Sequence, residues 1–237
     1  MVSEFKGLST PTTLSKPDSP IYSWHFVTSA TPLAAVDNRI LPPPQHLETI
    51  LNELHLDIKS KGIDAFWNLR THMINLDKQT HSSGKIERED LKDALTIWGV
   101  TLPRAYFDRV IDVVDITKTG LIDWSEFLNL VRGEMSSQRQ GLVAEVFSSL
   151  LTAAGAGKTA LTPDDLAFYM NAKEHPLVSV GGAAEQEALA HMLNHISVKG
   201  RTPATVRFEG FLQYYADLSA GVDDEGFFEQ IVRGGWA

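Results

Sequence analysis

Between residues 115 and 126 the sequence DITKTGLIDWSE sets oxygen-bearing groups at a spacing that suits a hard cation. Asp115, Thr117, Thr119, Asp123 and Glu126 stand at positions one, three, five, nine and twelve of this frame. The main-chain carbonyl of Leu121 stands at seven, and Gly120 at six supplies the sharp turn. Three of the six ligand positions carry carboxylates, and the ninth usually works through water. Calcium prefers anionic oxygens, so a Thr hydroxyl is a poor replacement for Asp at three and five. The expected dissociation constant for Ca2+ is no tighter than about 10⁻⁴ M. No cofactor is required, and one weakly bound Ca2+ is the most this frame would hold. The same residues also allow a purely architectural role, in which Ile122 pairs with Ile86 and locks two loops together.

That pairing follows from an internal repeat. SSGKIEREDL at 82–91 and KTGLIDWSEFL at 118–128 share a glycine, an aliphatic residue two positions later and an acid four after that. Each lies between apolar-periodic helices, the arrangement of an EF-hand. Counted back from Gly84, the first loop has Gln79 at one, His81 at three, Ser83 at five and Asp90 at twelve. Asp77, the nearest upstream acid, falls two residues too early, so this loop is expected to be empty. Two further frames follow. Residues 154–165 keep Leu161 at the strand position and Asp165 at twelve, but have Ala154, Ala156 and Lys158 at one, three and five. Residues 199–210 keep Val206, with Lys199 at one and Gly210 at twelve. Neither is equipped for calcium.

The elements that must position these loops are helical. Leu47, Ile50, Leu51, Leu54 and Ile58 fall on one helical face after the Pro42–Pro44 stop, and Phe66, Leu69 and Met73 continue in a second helix. Further helices are expected near 87–98, 103–114, 124–133, 138–151, 163–171, 183–197, 208–218 and 223–233. The fold class is all-α: four EF-hand helix–loop–helix units paired in two lobes, with an extended Pro-rich N-terminal arm. The arm is 1–44. Residues 45–135 form the lobe of hands 1 and 2 with a preceding helix, and 136–237 the lobe of degenerate hands 3 and 4 with a C-terminal helix. The arm holds seven of the 11 prolines, which exclude helix. Its Tyr22, Trp24 and Phe26 are candidates for contact with a partner or with the body of the chain.

Composition narrows the function classes. The 237 residues carry 21 Lys and Arg against 30 Asp and Glu, a net charge of −9, and no cysteine. The cysteine count excludes disulfides, thiol catalysis and Cys-ligated metals. The acidic balance, without a basic run, argues against nucleic acid and anionic membranes as partners. No apolar stretch is long enough to span a bilayer, and the start MVSEFKGLST lacks a signal pattern, so a soluble cytoplasmic protein is expected. GAGKT at 155–159 lacks the first glycine and the preceding strand of a phosphate loop. His191 and His195 have zinc-clamp spacing but no third ligand, and read as one core and one surface histidine. No nucleophile-elbow pattern occurs, so the chain is expected not to be an enzyme.

From residue 55 to 236 the chain resembles the calcyphosine-like EF-hand proteins. The resemblance rests on KGIDAFWNL, SSGKIEREDLKDAL, DITKTGLIDWSEFLNLVRGEMSSQRQGLVAEVF, the insert NAKEHPLVSVGGAAEQEAL and the ending FEGFLQYYADLSAGVDDEGFFEQIVRGGW. It implies two EF-hand lobes, protein partners and a place in ciliated or flagellated cells. The lost ligands point to a largely calcium-independent structural or adaptor protein whose apolar lobes grip a partner helix. Its expected location is a ciliary or flagellar assembly, on axonemal microtubules or tubulin-associated proteins. The alternative is a low-affinity calcium sensor acting through the second loop alone.

Overall fold

The computed structural model describes residues 46–80, 82–179, 184–196 and 204–236. The arm with Tyr22, Trp24 and Phe26, and His81 and Lys199 in the loops, lie outside the described residues. The fold is helical and EF-hand-like. In the first half, α1 (Leu47–Lys59) precedes α2 (Ala65–Thr80), β1 (Lys85–Glu87), α3 (Arg88–Ile97), α4 (Arg104–Val114), β2 (Leu121–Asp123) and α5 (Trp124–Arg132). In the second half come α6 (Ser137–Ala154), α7 (Pro163–Tyr169), a 3-10 turn at Ala172–Glu174, α8 (Pro176–Ser179), α9 (Glu185–His195), α10 (Phe208–Gly221) and α11 (Glu225–Gly234). The 3-10 turn and α8 lie in the insert, where a run of four or fewer residues leaves no periodic signature.

Two loop pairings organise these helices. β1 and β2 are antiparallel with Ile86 opposite Ile122, as the repeat predicts, and both side chains are fully buried. Leu161 and Val206 make the corresponding single bridge, each amide donating to the other's carbonyl at 2.9 and 2.7 Å. In each pair a branched aliphatic residue enters the core from a short strand, where β-branched and aliphatic side chains pack well.

Around each pairing lies a buried apolar cluster. The first takes residues from α1 to α5, and the second takes residues from α6 to α11 together with Trp67. Trp67 crosses over because α2 is buried on more than one face. Phe66, Leu69 and Met73 point into the first cluster, while the Trp67 indole stacks on Tyr214 at 4.7 Å and donates from Nε1 to the Tyr214 carbonyl at 2.9 Å. A helix apolar on several sides is one sandwiched between layers. At the other end of α10, Gly221 meets the backbone of Ile63, and a Cβ there would come within 2.4 Å of the Ile63 carbonyl oxygen. Only glycine permits that approach.

Each cluster also contains an apolar face from a flanking helix. Ile50, Leu54 and Ile58 of α1, at one-face spacing, are all but fully buried against α2, α4 and α5. Phe228, Ile231 and Val232 of α11 are buried beside α6. The lobe interiors that the sequence reading leaves open to a partner helix are therefore filled by the chain's own helices. Amphipathic periodicity identifies an apolar face but not what covers it.

Candidate metal loop and the charges around it

The second loop is built around Asp115, which caps the end of α4 and is 6% exposed. Its Oδ1 accepts the Thr119 amide at 3.0 Å and its Oδ2 the Gly120 amide at 2.7 Å. The Thr119 and Thr117 hydroxyls donate to Oδ1 at 3.2 and 3.4 Å. Burial works to raise the Asp115 pKa, but these four donors outweigh it and hold the carboxyl below its usual value. Asp123, at the ninth position, caps α5 by accepting the Ser125 and Glu126 amides, both at 3.0 Å. Leu121 lies in β2 opposite Glu87. Glu126 is in the first turn of α5 and exposed.

The donors at these six positions are all oxygens, with three carboxylates, and in kind they fit a hard divalent cation. Their arrangement is not converged: among the described residues no three His, Asp or Glu side chains come together as a metal cluster. Asp115 is seated, whereas Glu126 stands out in solvent.

The first loop departs from the twelve-residue frame. Asp77, buried at the end of α2, accepts the Ser83 amide at 2.9 Å and the Gly84 amide at 3.1 Å. These amides correspond to those of Thr119 and Gly120, so Asp77 does for the first loop what Asp115 does for the second. Ser82 and Lys118, each two residues before the loop glycine, share a positive φ (49° and 54°). The expectation that Asp77 falls too early is thus corrected: the first loop has two more residues than the second between its acid and its glycine. A signal was present, since Leu69, Met73 and Asp77 form one stripe at four-residue spacing on the buried face of α2.

In the third loop a side chain supplies the positive charge. The Lys158 ammonium, at the fifth position, donates to both carboxylate oxygens of Asp165, at the twelfth, each at 2.7 Å. Thr162, at the ninth, and Asp165 form a reciprocal capping box on α7. Lys158 and these Thr162 donors draw the Asp165 pKa down to about 2.

Behind the second loop lies a buried ionic group that sequence reading missed. Asp217 of α10, 2% exposed, receives the Arg70 guanidinium of α2 through Nε and Nη2. It also receives Arg132 Nη1 of α5 at 2.7 Å and Gln213 Nε2 at 3.0 Å. His195 Nε2 of α9 lies 3.0 Å from Asp217 Oδ2, without hydrogen-bond alignment. Burial acts to raise the Asp217 pKa, and the Arg70 charge with its hydrogen bonds overrides it, keeping the carboxylate ionised.

His191 is not a surface residue. Both its ring nitrogens are buried without a hydrogen-bond partner, and the ring sits 5.1 Å from Trp67 and 5.8 Å from His175. α9 packs between α2, α7, α8 and the 3-10 turn, so the face that periodicity assigns to solvent is covered. Burial, with smaller contributions from His195 and His175, lowers the His191 pKa to about 3, and burial lowers that of His175 to about 4. The His175 Nδ1 accepts the Leu177 amide at 3.3 Å, so Nε2 carries the proton and donates to the Tyr214 hydroxyl.

No family model matches the sequence. The chain is 27% identical over 186 residues to a protein named crustacean calcium-binding protein 23, from Faxonius limosus, spanning 78% of this chain and 90% of that protein.

Proposed function

We propose that this is a non-enzymatic EF-hand structural protein that takes one Ca2+ weakly through Asp115–Glu126 and keeps its lobes closed whether or not the ion is bound. The observation that carries this reading is the burial of the apolar faces of α1 and α11 in the two clusters. A sensor of the opening kind exposes an apolar groove on binding calcium, and here such a groove already holds its own helix. The calcium-binding relative and the oxygen donor set support the metal; the hydroxyls at positions three and five support its weakness. Protein partners then dock on outer surfaces rather than inside the lobes. The resemblance described above supports a cytoplasmic place in a ciliary or flagellar assembly, on axonemal microtubules or proteins bound to tubulin.

Calorimetric titration of the full chain with calcium tests the metal reading. One site with a dissociation constant of about 10⁻⁴ M or weaker is expected, lost in Glu126→Gln, with equal binding of an apolar-surface dye in calcium and in chelator. Dye binding that rises with calcium would replace the closed scaffold by the sensor. No heat up to millimolar calcium would leave a metal-free scaffold. Location is tested separately: the tagged full chain should stay in the salt-extracted axonemal pellet of a flagellated cell, and release into the soluble fraction removes that assignment.

A further inference from the structure

We infer that Asp217, through Arg132 and Arg70, is a positioning residue for the second loop and holds its exit helix in the arrangement that disfavours the ion; this rests on the reading of that loop given above. In a twelve-residue frame the carboxylates at positions one and twelve bind the same ion. Asp115 is seated and Glu126 is exposed on the first turn of α5, so bringing the Glu126 carboxylate to the ion draws on the start of α5 within the closed lobe.

α5 is held at both ends. At its start, the Arg70 guanidinium lies 5.8 Å from the centre of the Trp124 ring, and Trp124 is the first residue of the helix. Further along, Arg70 Nη2 is 3.5 Å from Asn129 Oδ1. At its end, Arg132 reaches Asp217. Both guanidinium groups converge on the one carboxylate, which belongs to α10 in the second half. Arg70 is 3% exposed and the Arg132 side chain 12%, so water does little to weaken these contacts. Any movement of α5 toward the ion therefore works against the Arg132–Asp217 ion pair and the Arg70–Trp124 contact. That cost is charged against cation binding, and by linkage the ion in turn loosens the group around Asp217.

The coupling is readable from both ends in the full-length chain. Arg132→Met removes the contact at the helix end, while Asp217→Asn keeps the shape and removes the charge. Ile231→Val serves as a control that trims the second cluster without touching α5. Calcium calorimetry should show affinity tightened about fivefold or more in Arg132→Met and Asp217→Asn, and unchanged in Ile231→Val. If Asp217→Asn fails to fold, Arg132→Met carries the test alone. In the wild type, calcium should shift the ring-proton NMR signal of His195, a readout that a merely structural role would leave still. Unchanged or weakened affinity in Arg132→Met, or an equal change in Ile231→Val, overturns the clamp. A wild type that gives no calcium heat overturns the loop reading itself, and is thereby distinguished from a wild type that binds beside variants of unaltered affinity.

Discussion

The second and third loops share a frame and solve its electrostatics in opposite ways. In both, an aliphatic residue at position eight pairs across to a partner loop, position nine caps the exit helix, and position twelve is acidic. In the second, Asp115 gathers the loop amides while Glu126 waits in solvent for a positive charge from outside. In the third, Lys158 reaches across and neutralises Asp165 from within. The difference separates two things a metal does in such loops, shaping the turn and balancing the acid. A buried carboxylate on loop amides achieves the first, a lysine achieves the second, and the pairing of the aliphatic residues needs neither.

If apolar packing rather than charge holds both halves, the largest losses of stability will come from the helices that fill them. Leu54→Ala in α1 and Phe228→Ala in α11 each remove a side chain that is 1% exposed or less. Each should cost roughly 2–5 kcal/mol in denaturant unfolding, whether or not calcium is present. A cost below about 1 kcal/mol in either, well short of that range, would show that the corresponding lobe stands without its flanking helix, and the groove would be open to a partner after all.

Acid acts on the second half through its buried histidines. In the second half His191 and His175 are kept neutral by burial, with folded pKa values of about 3 and 4 against an ordinary 6.5. The unfolded chain therefore binds protons first as pH falls. Stability from these groups is complete above pH 6.5 and is lost on the way down toward 4 and then 3, at about 1.4 kcal/mol per pH unit for each histidine. Urea unfolding between pH 7 and 4.5 should show this slope, and His191→Gln should flatten it by one histidine's share. An unaltered slope in His191→Gln would place the acid sensitivity elsewhere.

Sequence reading reached the frame of this fold because helix periodicity and the loop glycines are local signals. The Ile86–Ile122 and Leu161–Val206 pairings follow from register alone. What escaped it depends on contacts distant in the chain. Trp67 and Phe66 are adjacent in sequence yet enter different clusters, and only the position of α10 decides that. Arg70, Arg132 and Asp217 carry no local signal, because three helices distant in the chain bring them together. For the site, the six positions from Asp115 to Glu126 are legible, but not that Asp115 is buried on loop amides while Glu126 is exposed. Asp77 falls outside a fixed twelve-residue count, and its place on the buried stripe of α2 is the signal that marks it. Removing it sharpens the comparison between loops: Asp77→Ala leaves the Ser83 and Gly84 amides without their acceptor and should cost about 1–3 kcal/mol. An effect near zero would mean the first loop holds its turn without a carboxylate.

The smallest effect belongs to the contact that distinguishes the third loop. Lys158 and Asp165 are partly exposed, so solvent screens their pairing and it adds little to the stability of the fold. Lys158→Met should therefore leave the unfolding midpoint almost unmoved. Its signature is in titration, because Lys158 is the leading cause of the depressed Asp165 pKa of about 2. Without the ammonium, the carboxyl should titrate at higher pH by NMR, held down only by the Thr162 donors. Should the Asp165 titration stay where it was, the capping box alone would account for the acid. The third loop would then resemble the second in relying on its own hydrogen bonds, and the internal cation would lose its role.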